Sequence, residues 1–478
     1  MNHDNDLSQD STAVSQHTEI SQQSVHFHSN GSSPAASSSH VIVQAHRRHF
    51  FETVFRASAQ QIITSPAAYR EQLFSTFVNE LTVLYDMPSR YSLLSRLRDW
   101  FEPRCDSGVI ATDCLLLLHF ARVTGDNQVL FEGKRRHYLA IHCLKAKLAS
   151  PAATNDDTLL VSMDALGICH LYEQEPRRKH AQGLRRLLEV RGPGAMQSVT
   201  GLTRDLVFNA LHINLIACMT SRTACMFGEP RWSRALETSC NGRVWCLFRL
   251  ACRIPAALAR IDTIGSASKS EVAALLSQLV SLGRQFQEWL LIWYEEIIGP
   301  PIRSAPWTDS PQWTARYGSS SLAFPQAFSF PTFPVALGHL TYWAMLLPLR
   351  EAIYTLATHP QAAQLTTPAY HKVLFDATDE CADSICRMAP FMLTNTEVPK
   401  GGARSLYGAL LPTLKWYQRS GQVDKVAFCQ TILATQDRVS AASLEHIDWV
   451  DVDGFLMRRL MWQNVIGPSR CIKRRTNV

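Results

Sequence analysis

The sequence predicts an all-α protein, because apolar residues repeat with helical spacing, helix-ending residues separate the repeats, and strand patterns are scarce. From about Arg47, apolar residues recur at steps of three and four, as the buried face of a helix requires. The alternation typical of a half-buried strand is limited to the short run Val41-Ile42-Val43. Hydrophobic residues make up 46% of the 478 residues, which is enough apolar surface for a large buried core.

The apolar runs follow one another along most of the chain. In order, the predicted helices contain the runs 74–84, 115–120, 138–148, 159–171, 184–188, 206–219, 244–258 and, after an interruption, 335–462. Asp156 and Asp157 precede the fourth run, where acidic groups suit the positive end of the helix dipole. The fifth run stops at Gly192-Pro193-Gly194, since glycine can take a left-handed cap and proline cannot continue the helix.

Composition divides the chain into five segments. Residues 1–45 are rich in serine, glutamine and histidine, and their small apolar surface predicts disorder. Residues 46–298 and 335–465 are the two predicted halves of a large multi-helix region. Between them, residues 299–334 hold seven of the 23 prolines, which predicts an irregular segment and a boundary between the halves. Residues 466–478 form a short basic tail.

Charge is unevenly distributed along the chain. Residues 1–46 contain four acidic residues and no lysine or arginine, which leaves 47 basic against 37 acidic residues in the remainder. A mildly basic body is compatible with nucleic acid or with acidic partners. The run Lys-Arg-Arg at 473–475 could serve as a short nuclear localisation signal.

Cysteine usage and hydropathy indicate a soluble intracellular protein. The 13 cysteines are scattered, and Cys114, Cys169 and Cys218 lie within apolar runs, as reduced and buried thiols do. The first residues are polar and acidic, unlike a secretory signal peptide. Apolar runs are all shorter than the roughly 18 residues that a membrane-spanning helix needs, so no membrane association is predicted.

No set of residues predicts catalysis or a bound cofactor, and the chain is not expected to be an enzyme. Asp156-Asp157 lacks the further carboxylates that would hold magnesium against a diphosphate, and helix initiation explains the pair better. His137 and His142 lie five residues apart, which places them on different faces of a helix. Glycine-rich phosphate loops and serine elbows are also missing from the sequence.

The cysteines do not have the spacing of a structural zinc site. The densest set is Cys240, Cys246 and Cys252, with Cys218 and Cys225 upstream, and no pair is separated by only two residues. Steps of six residues turn about 600° around a helix, so these thiols are expected to fan out rather than converge. Buried core thiols are the predicted role, with no metal.

One basic run carries six positive charges within fifteen residues, opposed only by Glu189. Its members are Arg177, Arg178, Lys179, Arg185, Arg186 and Arg191. Such a run could attract phosphate or an acidic partner, but a solvated helix face is the preferred interpretation.

The stretch 180–193 resembles part of the regulatory region of the fungal-specific transcription factors of the zinc binuclear cluster class. The matching positions are His180, Gly183, Arg191, Gly192 and Pro193. Three other stretches follow the same order: 138–159 is similar to the paired-helix region, 220–232, with Arg222 and Trp232, is similar to an Arg…Phe…Pro-x-Trp stretch, and 406–412 is similar to a late helix. Together they cover roughly residues 47–440.

The resemblance implies an all-helical regulatory domain of the middle-homology type, nuclear, which modulates transcription of a metabolic or secondary-metabolite pathway. The matching residues are interpreted as structural. Gly183 would allow close helix approach, Arg191-Gly192-Pro193 would end a helix, and Trp232 would anchor packing. Implied partners are other transcription factors or a second copy of the chain, with DNA contacted only indirectly or weakly.

The sequence departs from that family at its amino-terminal part, where the family carries six cysteines in a Cys-x2-Cys-x6-Cys double pattern. Here the first 104 residues contain no cysteine, which puts autonomous DNA binding in doubt. Two alternatives stay open. The chain could be a helical scaffold or inhibitor that dimerises with full-length factors, or an enzyme of an unrecognised helical type.

Overall fold

Helices account for nearly all of the regular structure in the computed structural model, which describes residues 73, 106–173, 178–198, 201–239, 242–307, 312–313, 323–362, 365–395, 398 and 402–440. The all-α prediction is confirmed. The predicted helix at 74–84, the polar segment 1–45 and the basic tail 466–478 lie outside the described residues.

The described residues contain fourteen α-helices and two β-strands. In chain order they are α1 (Asp106–Thr124), α2 (Asn127–Leu148), α3 (Asp157–Glu173), α4 (Arg178–Arg191), α5 (Gly201–Ser221), α6 (Pro230–Ser239), α7 (Arg243–Ala251), α8 (Ile254–Asp262), α9 (Lys269–Tyr294), β1 (Arg303–Pro306), β2 (Gln326–Ser329), α10 (Phe333–Ala357), α11 (Pro368–Arg387), α12 (Ala389–Thr394), α13 (Gly402–Ser420) and α14 (Val423–Ser440).

Helices α1, α2 and α3 pack against one another. Helix α1 is apolar on most of its surface, and Cys114, Leu115 and Leu118 are at most 1% exposed. An all-round apolar helix is stable only when neighbours cover it, and α2 and α3 do so here. Helix α2 begins after Asp126, whose carboxylate accepts hydrogen bonds from the first N–H groups of the helix.

The apolar run at 244–258 is divided between α7 and α8, because Pro255 occupies the first turn of a new helix. Helix α9 then begins with a capping box, in which Ser268 and Glu271 each bind the other's backbone N–H group. These local signals place α9 so that its buried face, including Phe286 and Trp293, packs on α10.

Helix α10 is the centre of the second part of the core. Most of its residues are buried, and it packs against α8, α9, α11 and α13. Its first turn is capped by Thr332, and Pro348 lies within the helix. Helix α13 in turn packs against α11, α12 and α14.

The two strands form an antiparallel pair within 299–334, in register Arg303↔Ser329 to Pro306↔Gln326. The expectation of a wholly irregular segment, and of no strand pattern beyond Val41-Ile42-Val43, is thus corrected. Strands of four residues are too short to give a recognisable alternation, and only β2 buries side chains, Ala327 and Phe328.

All of the described residues lie in one compact unit, Gln61–Val478. Within it, α9 and α10 precede and follow the proline-rich segment and pack directly on each other. The proposed boundary at 299–334 therefore separates two stretches of sequence whose helices share a core.

Candidate functional site

The sequence motif at 180–193 forms helix α4 and the turn that ends it. Leu184, Leu187 and Leu188 are buried on one face of α4, as the spacing predicted. Gly192 has a φ of +71°, in the left-handed region, and its N–H donates to the Leu188 carbonyl at 2.9 Å. Pro193 then begins a short 3-10 turn, Pro193–Ser198. The predicted glycine cap is confirmed.

Arg191 links the end of α4 to the start of α3. Its side chain is only 4% exposed, and Nη1 donates to the Asp157 carboxylate at 2.7 Å. Nη2 donates to the Asp156 carbonyl at 2.6 Å. Asp156 itself accepts a hydrogen bond from the N–H of Thr158. Asp156 and Asp157 thus lie at the start of α3, in agreement with the helix-initiation interpretation. Both residues also accept hydrogen bonds from Arg191.

Gly183 lies on the side of α4 that faces α3. A Cβ atom placed there would lie 3.9 Å from Cε of Met163, which is ordinary van der Waals contact. Close approach of the helices therefore does not require glycine at this position, and that part of the interpretation is corrected. The backbone of His180 belongs to the first turn of α4, and its side chain lies outside the described part of the structure.

Arg222 and Trp232 stabilise two different junctions. Arg222 follows α5 with a φ of 53°, and its Nε donates to the Asp262 carboxylate at 2.6 and 2.8 Å, at the end of α8. Trp232, in α6, is 1% exposed and packs edge-on against Phe227 at 5.3 Å. The packing role predicted for Trp232 is confirmed.

Two of the motif stretches, 180–193 and 220–232, are joined by helix packing. Helix α6, which carries Trp232, packs on the turn Pro193–Ser198 that follows Arg191 and Gly192. Gly228, just before α6, lies against the backbone of Cys252, because a Cβ atom there would overlap the Cys252 carbonyl oxygen. These residues fix helix ends and junctions.

The described arginines of the basic run form ion pairs with Glu189 on α4 and with Asp157 on α3. Arg185 and Arg186 contact Glu189 at 2.8 and 3.2 Å, and Arg191 is turned inward to Asp157. Arg177 and the side chains of Arg178 and Lys179 lie outside the described part. The described members form ion pairs rather than an open phosphate site.

Three cysteines that were expected to fan apart converge. Cys225 lies beside both Cys218 and Cys252, and the thiols of Cys218 and Cys225 donate to Asn214 Oδ1 at 3.7 and 3.2 Å. The turn between α5 and α6 folds Cys225 back, which helical rotation alone does not reveal. The neighbouring thiol of Cys225 and burial both raise the pKa of Cys218, so this thiol stays protonated.

Two further pairs of thiols lie in the core. The sulfur atoms of Cys114 and Cys169 are 3.4 Å apart between α1 and α3, and those of Cys386 and Cys429 are 3.7 Å apart between α11 and α14. Among the described residues, no group of three or more His, Cys, Asp or Glu side chains is placed to hold a metal ion.

A partly buried polar network that the sequence analysis missed joins α11, α13 and α14. Lys425 Nζ donates to Asp379 at 2.7 Å and to Asp383 at 2.6 Å. Tyr417 donates to Asp383 at 2.7 Å, and Trp416 donates to Asp379 at 3.1 Å. The four-residue spacing of the two aspartates was the available signal, since it places both on one face of a helix.

The network keeps Lys425 charged between Asp379 and Asp383. Burial would lower the pKa of Lys425, but hydrogen bonds to Asp379 and Asp383 outweigh burial and raise it. Burial raises the pKa of Asp383, against the lowering effect of Lys425 and Tyr417. A lysine held charged between two carboxylates is unavailable as a nucleophile, so the arrangement connects helices instead.

A second missed feature is the exposed face of α2. Phe131 and Tyr138, seven residues apart, are 72% and 74% exposed. Lys134 and Lys145 lie exposed on the same helix, about one turn after Phe131 and about two turns after Tyr138 respectively. Large aromatic side chains that are exposed together on one surface are typical of an interaction surface, and the lysines give this surface a positive charge. We call the four residues the α2 face.

Hydropathy and comparison with known proteins assign no function to these features. No helix among the described residues has the length and apolar character needed to cross a membrane. Comparison with models of known families, with curated proteins and with solved structures found no match to this chain.

Proposed function

We propose that this chain is a nuclear transcriptional regulator of the fungal-specific transcription factor type. It would control a metabolic or secondary-metabolite pathway through protein partners, without a zinc cluster of its own in this sequence. The observation that carries the proposal is the ordered set of motif stretches at 138–159, 180–193, 220–232 and 406–412.

The structure gives these motif residues a consistent physical role, which supports the proposal. Arg191 and Gly192 end α4 and attach it to α3, and Trp232 packs the next stretch against the turn that follows. Residues that fix helix junctions are what a regulatory body of packed helices needs. The α2 face adds a surface on which such a body could bind another protein.

The test is genome-wide chromatin occupancy of the tagged full-length chain in its own cells, together with transcript levels after deletion of the gene. We expect discrete promoter peaks, and changed expression of the genes beside them. An empty occupancy profile with an unchanged transcript set would contradict a regulatory function.

Co-purification, together with the transcript levels after deletion, separates an activator from the alternative inhibitor. An inhibitor that pairs with full-length factors would co-purify with a zinc-cluster protein, and its deletion would raise expression of that factor's targets. Turnover of a small molecule by the pure protein would instead favour the unrecognised enzyme.

A further inference from the structure

Helix α2 packs through a side that includes Gly133 and Ala140, and it exposes a side that carries Phe131 and Tyr138. The buried residues along the helix are Gly133, His137, Ala140 and Leu144. A Cβ atom at Gly133 would come within 2.9 Å of Leu118 Cδ2, so α1 approaches this side closely. Amphipathic helices normally bury their largest apolar residues, and here Phe131 and Tyr138 point away from the core.

The exposed side is also positively charged. Helix α2 contains Lys134, Arg135, Arg136, Lys145 and Lys147 and a single acidic residue, Glu132. Glu132 is bound to both arginines, at 2.7 and 2.9 Å, and Lys147 lies 3.8 Å from Asp156. Among the described residues, neither Lys134 nor Lys145 has an ion-pair partner, and both side chains are exposed.

We propose that the α2 face is the docking site for an acidic amphipathic helix of a partner protein. Phe131, Tyr138 and Lys145 follow one another at steps of seven, so they lie along one line of a helix about 33 Å long. Apolar residues of the partner would cover the two aromatic rings, and its carboxylates would meet Lys134 and Lys145. The inference names a partner class for the proposed regulator and rests on that function for its biological role.

Charge and apolar area together favour this occupant over two others. A second copy docking through the same face would bring four lysines of like charge together, which opposes association. A DNA backbone would satisfy the lysines, but it has no apolar surface to cover the rings of Phe131 and Tyr138. An acidic helix with an apolar stripe satisfies both sets of groups.

The experiment measures binding of the full-length chain to a fluorescent synthetic helix by anisotropy. The probe is an acidic peptide of about 21 residues, matched to the length of α2, with leucine and phenylalanine at helical spacing and glutamate elsewhere. The comparison peptides are a scrambled version and one in which lysine replaces every glutamate. A DNA duplex of about 20 base pairs serves as competitor.

We expect the acidic helix to bind at least about tenfold more tightly than either comparison peptide, and more weakly as salt is added. The double substitution Phe131→Ala/Tyr138→Ala should weaken binding about tenfold or more, because exposed aromatic anchors dominate such interfaces. Lys134→Glu/Lys145→Glu should weaken it by a similar factor at low salt. All four positions are exposed, so thermal unfolding should be unchanged.

Matched controls lie on other helices. Val373→Ala removes an apolar side chain that is 62% exposed on α11, and Lys415→Glu reverses an exposed charge on α13. Both should leave peptide affinity unchanged. Equal binding of the acidic and basic peptides, no effect of the α2 substitutions, or displacement of the peptide by DNA would each overturn the docking proposal.

The outcomes separate this inference from the proposed function. Promoter peaks without binding of the acidic helix would overturn the docking site and leave the regulator standing. Tight binding that depends on Phe131 and Tyr138, with an empty occupancy profile, would overturn the regulator alone.

Discussion

Two glycines of the motif stretches, Gly183 and Gly228, differ in the space that surrounds them. Gly228 lies against the backbone of Cys252, which cannot move aside as a flexible side chain can. Gly183 lies beside the end of the Met163 side chain with space for a methyl group. Both precede or lie in motif helices, so sequence pattern alone does not distinguish them.

Replacing each glycine with alanine should therefore give opposite results. Gly228→Ala should lower the free energy of unfolding by about 3 kcal/mol or more, because the new Cβ overlaps a carbonyl oxygen. Gly183→Ala should be neutral or stabilise by up to about 1 kcal/mol, through its higher helix propensity. Urea denaturation of both variants measures the difference, and equal destabilisation would contradict the packing described for α4.

His339 is a buried titratable residue among aromatic rings. Its Nδ1–H donates to the Val335 carbonyl at 2.8 Å, and its Nε2 accepts from the Tyr294 hydroxyl at 3.0 Å. Burial lowers the pKa of His339 to about 4, and burial raises the pKa of Tyr294 to about 12. Both groups are therefore neutral near pH 7.

Stability should fall with acidification below the unfolded-state pKa of His339, which is about 6.5. Between about pH 6.5 and pH 4 the unfolded chain binds a proton that the folded chain excludes, so His339 can reduce the unfolding free energy by about 3 kcal/mol. Above pH 6.5 this contribution is constant. The measurement is the pH dependence of urea midpoints for the wild type and His339→Gln. Parallel pH profiles for the two proteins would count against a neutral, buried His339.

At the scale of helices, arginines at two helix ends differ in burial. Arg191 binds Asp157 and the Asp156 carbonyl with its side chain almost fully buried. Arg222 binds Asp262 with 40% of its side chain exposed. Charge-assisted hydrogen bonds contribute more where water is excluded, so only the first junction should depend strongly on its arginine.

Arg191→Met should lower the unfolding free energy by about 2 kcal/mol, since two charge-assisted hydrogen bonds are lost while the aliphatic stem is kept. Arg222→Met, the matched control, should cost less than about 1 kcal/mol, because its ion pair is exposed to solvent. Thermal melts of both variants test the difference. An equal cost at the two sites would mean that burial does not determine the strength of these contacts.

The connection of α11 to α14 depends on the Lys425 network. Lys425→Met should destabilise the protein by about 3–5 kcal/mol, because Asp379 and Asp383 would face each other without a cation. Adding Asp379→Asn and Asp383→Asn to this variant should restore part of the loss, because both carboxylates are removed. A triple variant no more stable than Lys425→Met would show that electrostatics is not the cause.

For the whole molecule, the apolar pattern predicted most helices and the cap at Gly192, because both follow from local chain chemistry. It did not predict β1 and β2, whose pairing joins residues distant in sequence, from Arg303↔Ser329 to Pro306↔Gln326. It also did not predict the meeting of Cys218, Cys225 and Cys252, which depends on how helices fold back.

The α2 face shows a further limit of sequence patterns. Tyr138 was counted within an apolar run, yet it is exposed while Gly133 and Ala140 are buried. When a helix carries more than one apolar stripe, spacing cannot tell which stripe meets the core. Tertiary packing makes the choice, since α1 approaches α2 closely at Gly133.

Helices on both sides of the proline-rich segment share aromatic contacts. Trp289 stacks on Tyr342 at 5.9 Å, and Trp293 lies 4.8 Å from His339. We therefore expect tryptophan fluorescence and far-ultraviolet circular dichroism to report one common unfolding transition in urea. Two separated transitions would show that the halves 46–298 and 335–465 unfold independently.

Eight of the ten cysteines in the described residues are buried, and they lie in three separate regions of the core. An alkylating reagent added to the folded protein can reach each region only when that region opens. Mass spectrometry of the labelled peptides would then give a rate of opening for α1 and α3, for the turn after α5, and for α11 and α14 separately. The native thiols thus make the local stability of each region measurable without introducing any new cysteine.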